Sequence, residues 1–133
     1  MELARYSGGC APAFLLGAAL FWVDIANATT WLVTANSDMT FTPSSLTIYQ
    51  QDQVTFRNGG GLHNVHADND SFVCGDDCSL HTGPSSNAWQ HTLKFNALGT
   101  VGYFCDEHGD LTTGMRGSIS VIDRVFVDGF EAP

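Results

Sequence analysis

A chain of 133 residues has room for one domain of ordinary size, and 44% hydrophobic against 14% charged residues is the balance of a packed protein, which excludes wholesale disorder. Acidic residues outnumber Lys and Arg by 14 to 5, a net charge of -9, and the cations at Arg5, Arg57, Lys94, Arg116 and Arg124 are scattered. Nucleic acid and anionic membrane surfaces are therefore disfavoured as partners.

The first element is an apolar run over residues 11–23, too short to cross a bilayer as a helix and suited to the core of an export leader. Arg5 precedes it, and Ala26-Asn27-Ala28 follows with the small-x-small pattern that leader-removing peptidases accept. Residues 1–28 are read as a signal peptide, with a retained anchor or a buried helix as the other readings. Cleavage after Ala28 leaves residues 29–133 with a net charge of -8 and three cysteines, Cys74, Cys78 and Cys105. The compartment is then the periplasm or the exterior of a bacterial cell, where disulfides persist.

From Thr30 onward short segments of β-branched and aromatic residues alternate with polar ones and end in Asn, Asp, Gly, Pro or Ser, the pattern of a sandwich or barrel. Trp31–Ala35 is a strand, Asn36-Ser37-Asp38 a turn, and Phe41-Thr42-Pro43 an edge segment, since Pro43 cannot donate to a ladder. Leu46 with Ile48, and Val54 with Phe56, mark two half-buried strands around Gln50-Gln51-Asp52. Gly59-Gly60-Gly61 opens a loop, and Val65 and Ala67 carry a strand into an aperiodic polar stretch over residues 68–87. A loop of that length in a small domain is functional or stapled. Trp89, His91, Leu93 and Phe95 share one face of the next strand, residues 101–104 form the penultimate one, and residues 117–122 the last. The fold class is all-β, a single Greek-key sandwich or barrel.

Chemistry concentrates in Cys105-Asp106-Glu107-His108, in Gly114-Met115-Arg116-Gly117, and in His63 upstream. One thiolate, two imidazoles and a weak thioether make the ligand set of a blue-copper electron-transfer site. Cys105 ends a strand, His108 and Met115 follow on the next loop, and His63 comes from another strand end, so the site belongs at one end of the sandwich.

These residues, together with Phe41–Ser44, Leu46-Thr47-Ile48, Val54–Asn58, His63-Asn64-Val65 and Gly99–Cys105, make the chain resemble a small cupredoxin of the plastocyanin/azurin type over about Trp31 to Ile122. The resemblance implies a cupredoxin domain over residues 29–122 holding one copper that cycles between Cu(I) and Cu(II). It implies His63, Cys105, His108 and Met115 as ligands and Asn64 as the residue tying the His63 segment to the Cys105 loop. The chain departs from the family in one respect: six residues separate His108 from Met115, a longer spacing than is common there.

Other readings compete for the same residues. Cys74, Cys78, Cys105 and His108 form a Cys3His set acceptable to structural zinc, which leaves His63 and Met115 unexplained. Cys105 with His108 as base makes a nucleophile, although no orienting residue or oxyanion motif accompanies them. His66 lies an odd offset from His63 and so faces the other side of an extended strand. It and His81 are read as solvent-exposed, and His91 as a partly buried histidine. Cys74-Gly75-Asp76-Asp77-Cys78 reads as a disulfide-closed ring, which leaves Cys105 the one free thiol of the exported chain; an Asp-assisted second metal site is the alternative. Residues 123–133 are read as a C-terminal tail.

The expected function is one-electron transfer, not catalysis, by a monomer that meets a transient redox partner of basic charge such as a c-type cytochrome. A copper carrier or scavenger without a dedicated redox partner is the alternative.

Overall fold

The computed structural model describes residues 27–124, and both the leader and most of the tail lie outside them. Nine strands build two sheets: β1 (Thr30–Asn36), β2 (Thr40–Thr42), β3 (Ser45–Tyr49), β4 (Gln53–Asn58), β5 (Val65–Ala67), β6 (Val73–Cys74), β7 (Gln90–Lys94), β8 (Gly99–Gly109) and β9 (Gly114–Ile122). One sheet has the order β2-β1-β4-β7 and the other β3-β9-β8-β5-β6. The pairs β1·β4 and β3·β9 are parallel and the remaining pairs antiparallel, so the chain repeatedly crosses between layers in the Greek-key manner. The short strand with Pro43 just beyond it is an edge, as the missing proline N–H requires.

Alternation decides what lies between the layers. Val33 and Ala35 of β1, Ile48 of β3, Val54 and Phe56 of β4, Val65 of β5, and Ile119 and Val121 of β9 are all buried. Their removal from water is the main force holding the sheets face to face. Tyr103 is central, with its ring edge-on to Phe41 at 5.0 Å and to Phe56 at 5.3 Å.

Two boundaries depart from the expectation. The stretch 68–87 is not wholly loop, because Val73 and Cys74 pair with His66 and Val65 as a further edge strand. Cys74 is bonded to Cys78 with an S–S distance of 1.98 Å. Strands β8 and β9 also run past their sequence-derived limits and meet in a hairpin with Gly109 opposite Gly114. Backbone pairing carries them further, where side-chain alternation gives no signal.

Gly117 sits opposite Tyr103 in the β8–β9 ladder, and any Cβ there would clash with the hydroxyl end of the phenol ring. Gly117→Ala is therefore expected to destabilise the fold by about 1–3 kcal/mol through overpacking. Urea unfolding checks this, and an unchanged midpoint contradicts it.

Candidate metal centre

His63, Cys105 and His108 come together at one end of the sandwich. The Sγ of Cys105 lies 3.7 Å from Nδ1 of His63 and 3.6 Å from Nδ1 of His108, and the three donor atoms lie within 4.8 Å of one another. A first-row ion bonded at about 2.0 Å to nitrogen and about 2.3 Å to sulfur holds two such donors about 3.7 Å apart when trigonal. The spacing and the soft set of two imidazole nitrogens and one thiolate sulfur both fit copper. His63 and Cys105 are buried and His108 is half-buried, so the centre reaches solvent through the His108 side.

Burial, and then the neighbouring ring of His108, hold the pKa of His63 below its ordinary value. The neutral imidazole that results is the form that binds a metal. Met115 is also buried and belongs to the same packed cluster as Cys105. It follows Gly114, whose φ of 84° and contact with the His108 carbonyl suit glycine alone. The β8–β9 register shifts between Phe104 and Gly109 and resumes at Gly109 opposite Gly114, next to His108 on one strand and Met115 on the other. The extra residues between them form a turn outside the cage, where the Asp110 carboxylate accepts from the backbone N–H groups of Thr112 at 2.7 Å and Thr113 at 2.8 Å. Those bonds push its pKa down to about 2.

Asn64 is fully buried and links the segment ahead of β5 that carries His63 to β8, which carries Cys105. Its Oδ1 accepts from the Asp106 backbone N–H at 2.9 Å, and its Nδ2 donates to Asp106 Oδ2 at 2.6 Å. The other Asp106 oxygen meets Nδ1 of His66 at 2.9 Å, while Nε2 of His66 meets Asp70 at 2.7 Å. The imidazole is thus held between two carboxylates and stacks on Phe104 with centroids 4.9 Å apart. Arg116 covers the same ring and pairs with Asp68. His66 therefore does face away from the cage, but it is engaged with partners and not simply solvated.

Other supports had no role in the sequence reading. Asn58 donates to the carbonyls of Gly61, Ser85 and Asn87 at 2.9–3.1 Å, shaping the loop before His63. The indole of Trp89 donates to the His63 carbonyl at 3.0 Å. The Gly59-Gly60-Gly61 run was the available signal for the first, since a loop so rich in glycine needs an external brace. In the Cys74–Cys78 ring, Asp76 accepts from Ser85 and Asn87 and Asp77 from Thr82, so both carboxylates serve the loop. The disulfide also removes two of the thiols a Cys3His zinc site requires. His91 approaches the Gly75 carbonyl at 2.8 Å and stacks on Trp89, whereas His81 is exposed.

Residues 28–122 match the family model of copper binding proteins of the plastocyanin/azurin family. The chain belongs to that family. Plastocyanin of Scenedesmus fuscus is 37% identical over 87 residues, which are 62% of this chain and 87% of the relative. The chloroplastic plastocyanin of Tetradesmus obliquus is 34% identical over 101 residues, 72% of this chain and 68% of the relative. Among solved structures, a reduced amicyanin variant aligns with a TM-score of 0.51 at 26% identity, covering 70% of this chain and 82% of its own. A reduced Cu(I) form of another amicyanin variant aligns with the same TM-score at 25% identity, covering 74% and 87%. Family and geometry agree that copper is the metal for the His63–Cys105–His108 group.

Partner carboxylates raise the pKa of His66 above its ordinary value, outweighing the opposing effect of burial. A raised folded pKa gives stability that is complete below about 6.5 and is lost as pH rises through the folded value. The parent should thus exceed His66→Gln in stability by about 0.5–1 kcal/mol at pH 6, and the gap should close in alkali. Denaturant unfolding of both chains across pH checks this; a gap that widens with pH contradicts it.

Proposed function

We propose that this chain is an exported single-copper electron carrier in which His63, Cys105 and His108 would hold the metal and Met115 would supply a weak fourth donor. The single observation behind the reading is the buried triangle of two nitrogens and one sulfur, at metal-binding spacing, in a chain of the plastocyanin/azurin family. When bound, copper supplies a one-electron couple between Cu(I) and Cu(II). The chain's own groups do the rest. Buried His63 and Asn64 ahead of β5 and the buried middle of β8 exclude water, and Asn64 fixes the separation of the His63 and Cys105 backbones. The β8–β9 hairpin carries both His108 and Met115. A cage restrained at each backbone changes little between charge states, and low reorganisation favours electron transfer over uptake and release of metal. Half-buried His108 is the shortest route from the centre to a docked partner. The same restraint argues against a carrier or scavenger, which must let go of its metal.

The relatives named as chloroplastic, the leader-like start and the disulfide together support an exported protein acting outside the cytosol. Leu62 at 42% and Leu111 at 60% exposure stand near the ligands as apolar surface. Around them lie the exposed acidic residues Asp76, Glu107 and Asp110. An apolar centre with an acidic rim suits brief docking of a basic redox protein, such as a c-type cytochrome.

Copper-loaded protein should show an intense thiolate-to-copper band in the visible that is absent in Cys105→Ser. A colourless Cu(II) complex of the parent contradicts the assignment.

Electron exchange with a basic cytochrome should slow as ionic strength rises, and Glu107→Lys should flatten that slope. Stopped-flow kinetics over a salt series read both effects, and a parent rate that is flat or rising with salt removes the steering.

A further inference from the structure

At the far edge of the sandwich from the metal donors, Asp52 is a fully buried carboxylate between β3 and β4. Its Oδ2 accepts from the Trp31 indole and the Tyr49 N–H, both at 3.1 Å. Its Oδ1 accepts from Arg124 at 2.9 Å and from the Thr29 backbone nitrogen at 2.8 Å. Thr29 is held from its other side too, since its carbonyl accepts from Gln53 N–H at 2.8 Å. Burial opposes ionisation of Asp52, yet these donors hold its pKa below the ordinary carboxylate value. Among the described residues the one side-chain cation on it is Arg124, itself 27% exposed. A buried negative charge is thus shared between one partly solvated guanidinium and a backbone nitrogen that in an uncut chain carries no charge. Residues 27–30 are exposed, and Asn27 stands between small Ala26 and Ala28.

We infer that the Ala28–Thr29 bond is a processing site and that the α-ammonium freed there pairs with the buried carboxylate of Asp52. Hydrolysis by a leader-removing endopeptidase consumes one water. The C–N bond breaks, the hydroxyl goes to the Ala28 carbonyl carbon, and the resulting carboxylate leaves with the leader. The Thr29 nitrogen takes up protons and becomes an ammonium at the position its amide already occupies. A hydrogen bond from a neutral amide to a carboxylate becomes an ion pair with a charge on both partners, and burial of the carboxylate limits its screening by salt. Cutting the chain one residue earlier or later puts the new charge elsewhere. Processing therefore does more than release the protein: it completes the counter-charge of the carboxylate on which β1, β3 and β4 converge. The unprocessed chain is the less stable one.

Arg124 shares Oδ1 and opposes a second cation there, Asp123 adjoins it, and Arg124 also lies over the Tyr49 ring at 4.7 Å. The carboxylate still raises the pKa of the α-amine above its ordinary value of about 7.7–8.0. The added stability is then complete below that value and is lost as pH rises through the folded one.

Mass spectrometry of the exported protein should find its N-terminus at Thr29. Thermal unfolding then compares three chains: residues 29–133 with a free amine, the same chain N-acetylated, and residues 27–133. At pH 6.5 the free-amine chain should unfold about 5 °C or more above the other two, with the advantage vanishing at pH 10.5. In Asp52→Asn the three should coincide, and in Arg124→Gln the advantage should grow. If Asp52→Asn fails to fold, Arg124→Gln and the pH series carry the comparison. An N-terminus elsewhere, equal unfolding temperatures at pH 6.5, or an advantage that survives pH 10.5 or Asp52→Asn overturns the inference.

Discussion

The metal end of this protein depends on two hydrogen bonds between Asn64 and Asp106. Strands β5 and β8 pair conventionally at Ala67–Tyr103 and His66–Phe104. The same register carried two residues further sets Asn64 opposite Asp106, where the strands must separate to leave room for imidazole, sulfur and metal. The Asn64 side chain takes the place of the missing backbone rung by accepting from one residue's N–H and donating to its carboxylate. Both groups of a buried amide are thereby satisfied, which burial demands. The separation of His63 from Cys105 becomes a property of one side-chain length, and His66 extends the same chain of contacts to the outer face of the sheet.

Charge is less free than the composition suggests. Among the acidic residues, Asp68 pairs with Arg116, Asp70 and Asp106 enclose His66, and Asp52 is buried. Asp76, Asp77 and Asp110 hold turns together through hydroxyl and backbone donors. Most of these groups combine an electrostatic role with a structural one, so a scan that reverses acidic residues singly will mix lost steering with loosened loops. Glu107 is the cleaner probe because it is exposed and adjoins His108.

Much of the fold was legible because it rests on alternation. Val33 with Ala35, Val54 with Phe56, and Trp89 through Phe95 announce their faces in the sequence, and the structure turns those faces toward the core. The β6 edge was not legible because Val73 and Cys74 are too few to show a period. The ends of β8 and β9 were hidden for a different reason: around the metal donors the side chains answer to the site, and their polarity no longer follows the pleat. The donors themselves stood out by chemical type and order, and the family match agrees with that reading. Their braces did not, since Asn58, Trp89 and Asp106 act through backbone carbonyls or short carboxylate contacts that leave no pattern in a sequence. Asp52 was equally silent, read only as a turn residue, because nothing in a sequence shows that a carboxylate has four donors around it.

The β8–β9 hairpin separates two quantities that a sequence presents as one. Distance along the chain from His108 to Met115 is set by a turn, whereas the rung at Gly109 and Gly114 joins the strands that carry them. Residues 110–113 lie beyond that rung, and the Asp110 carbonyl accepts from Arg116. The tip carries exposed Asp110 and Leu111, so a change in its length or charge falls first on the surface a partner would meet and only then on the rung beneath it. One hairpin thus presents a recognition surface at its tip and two donor-bearing strands at its base.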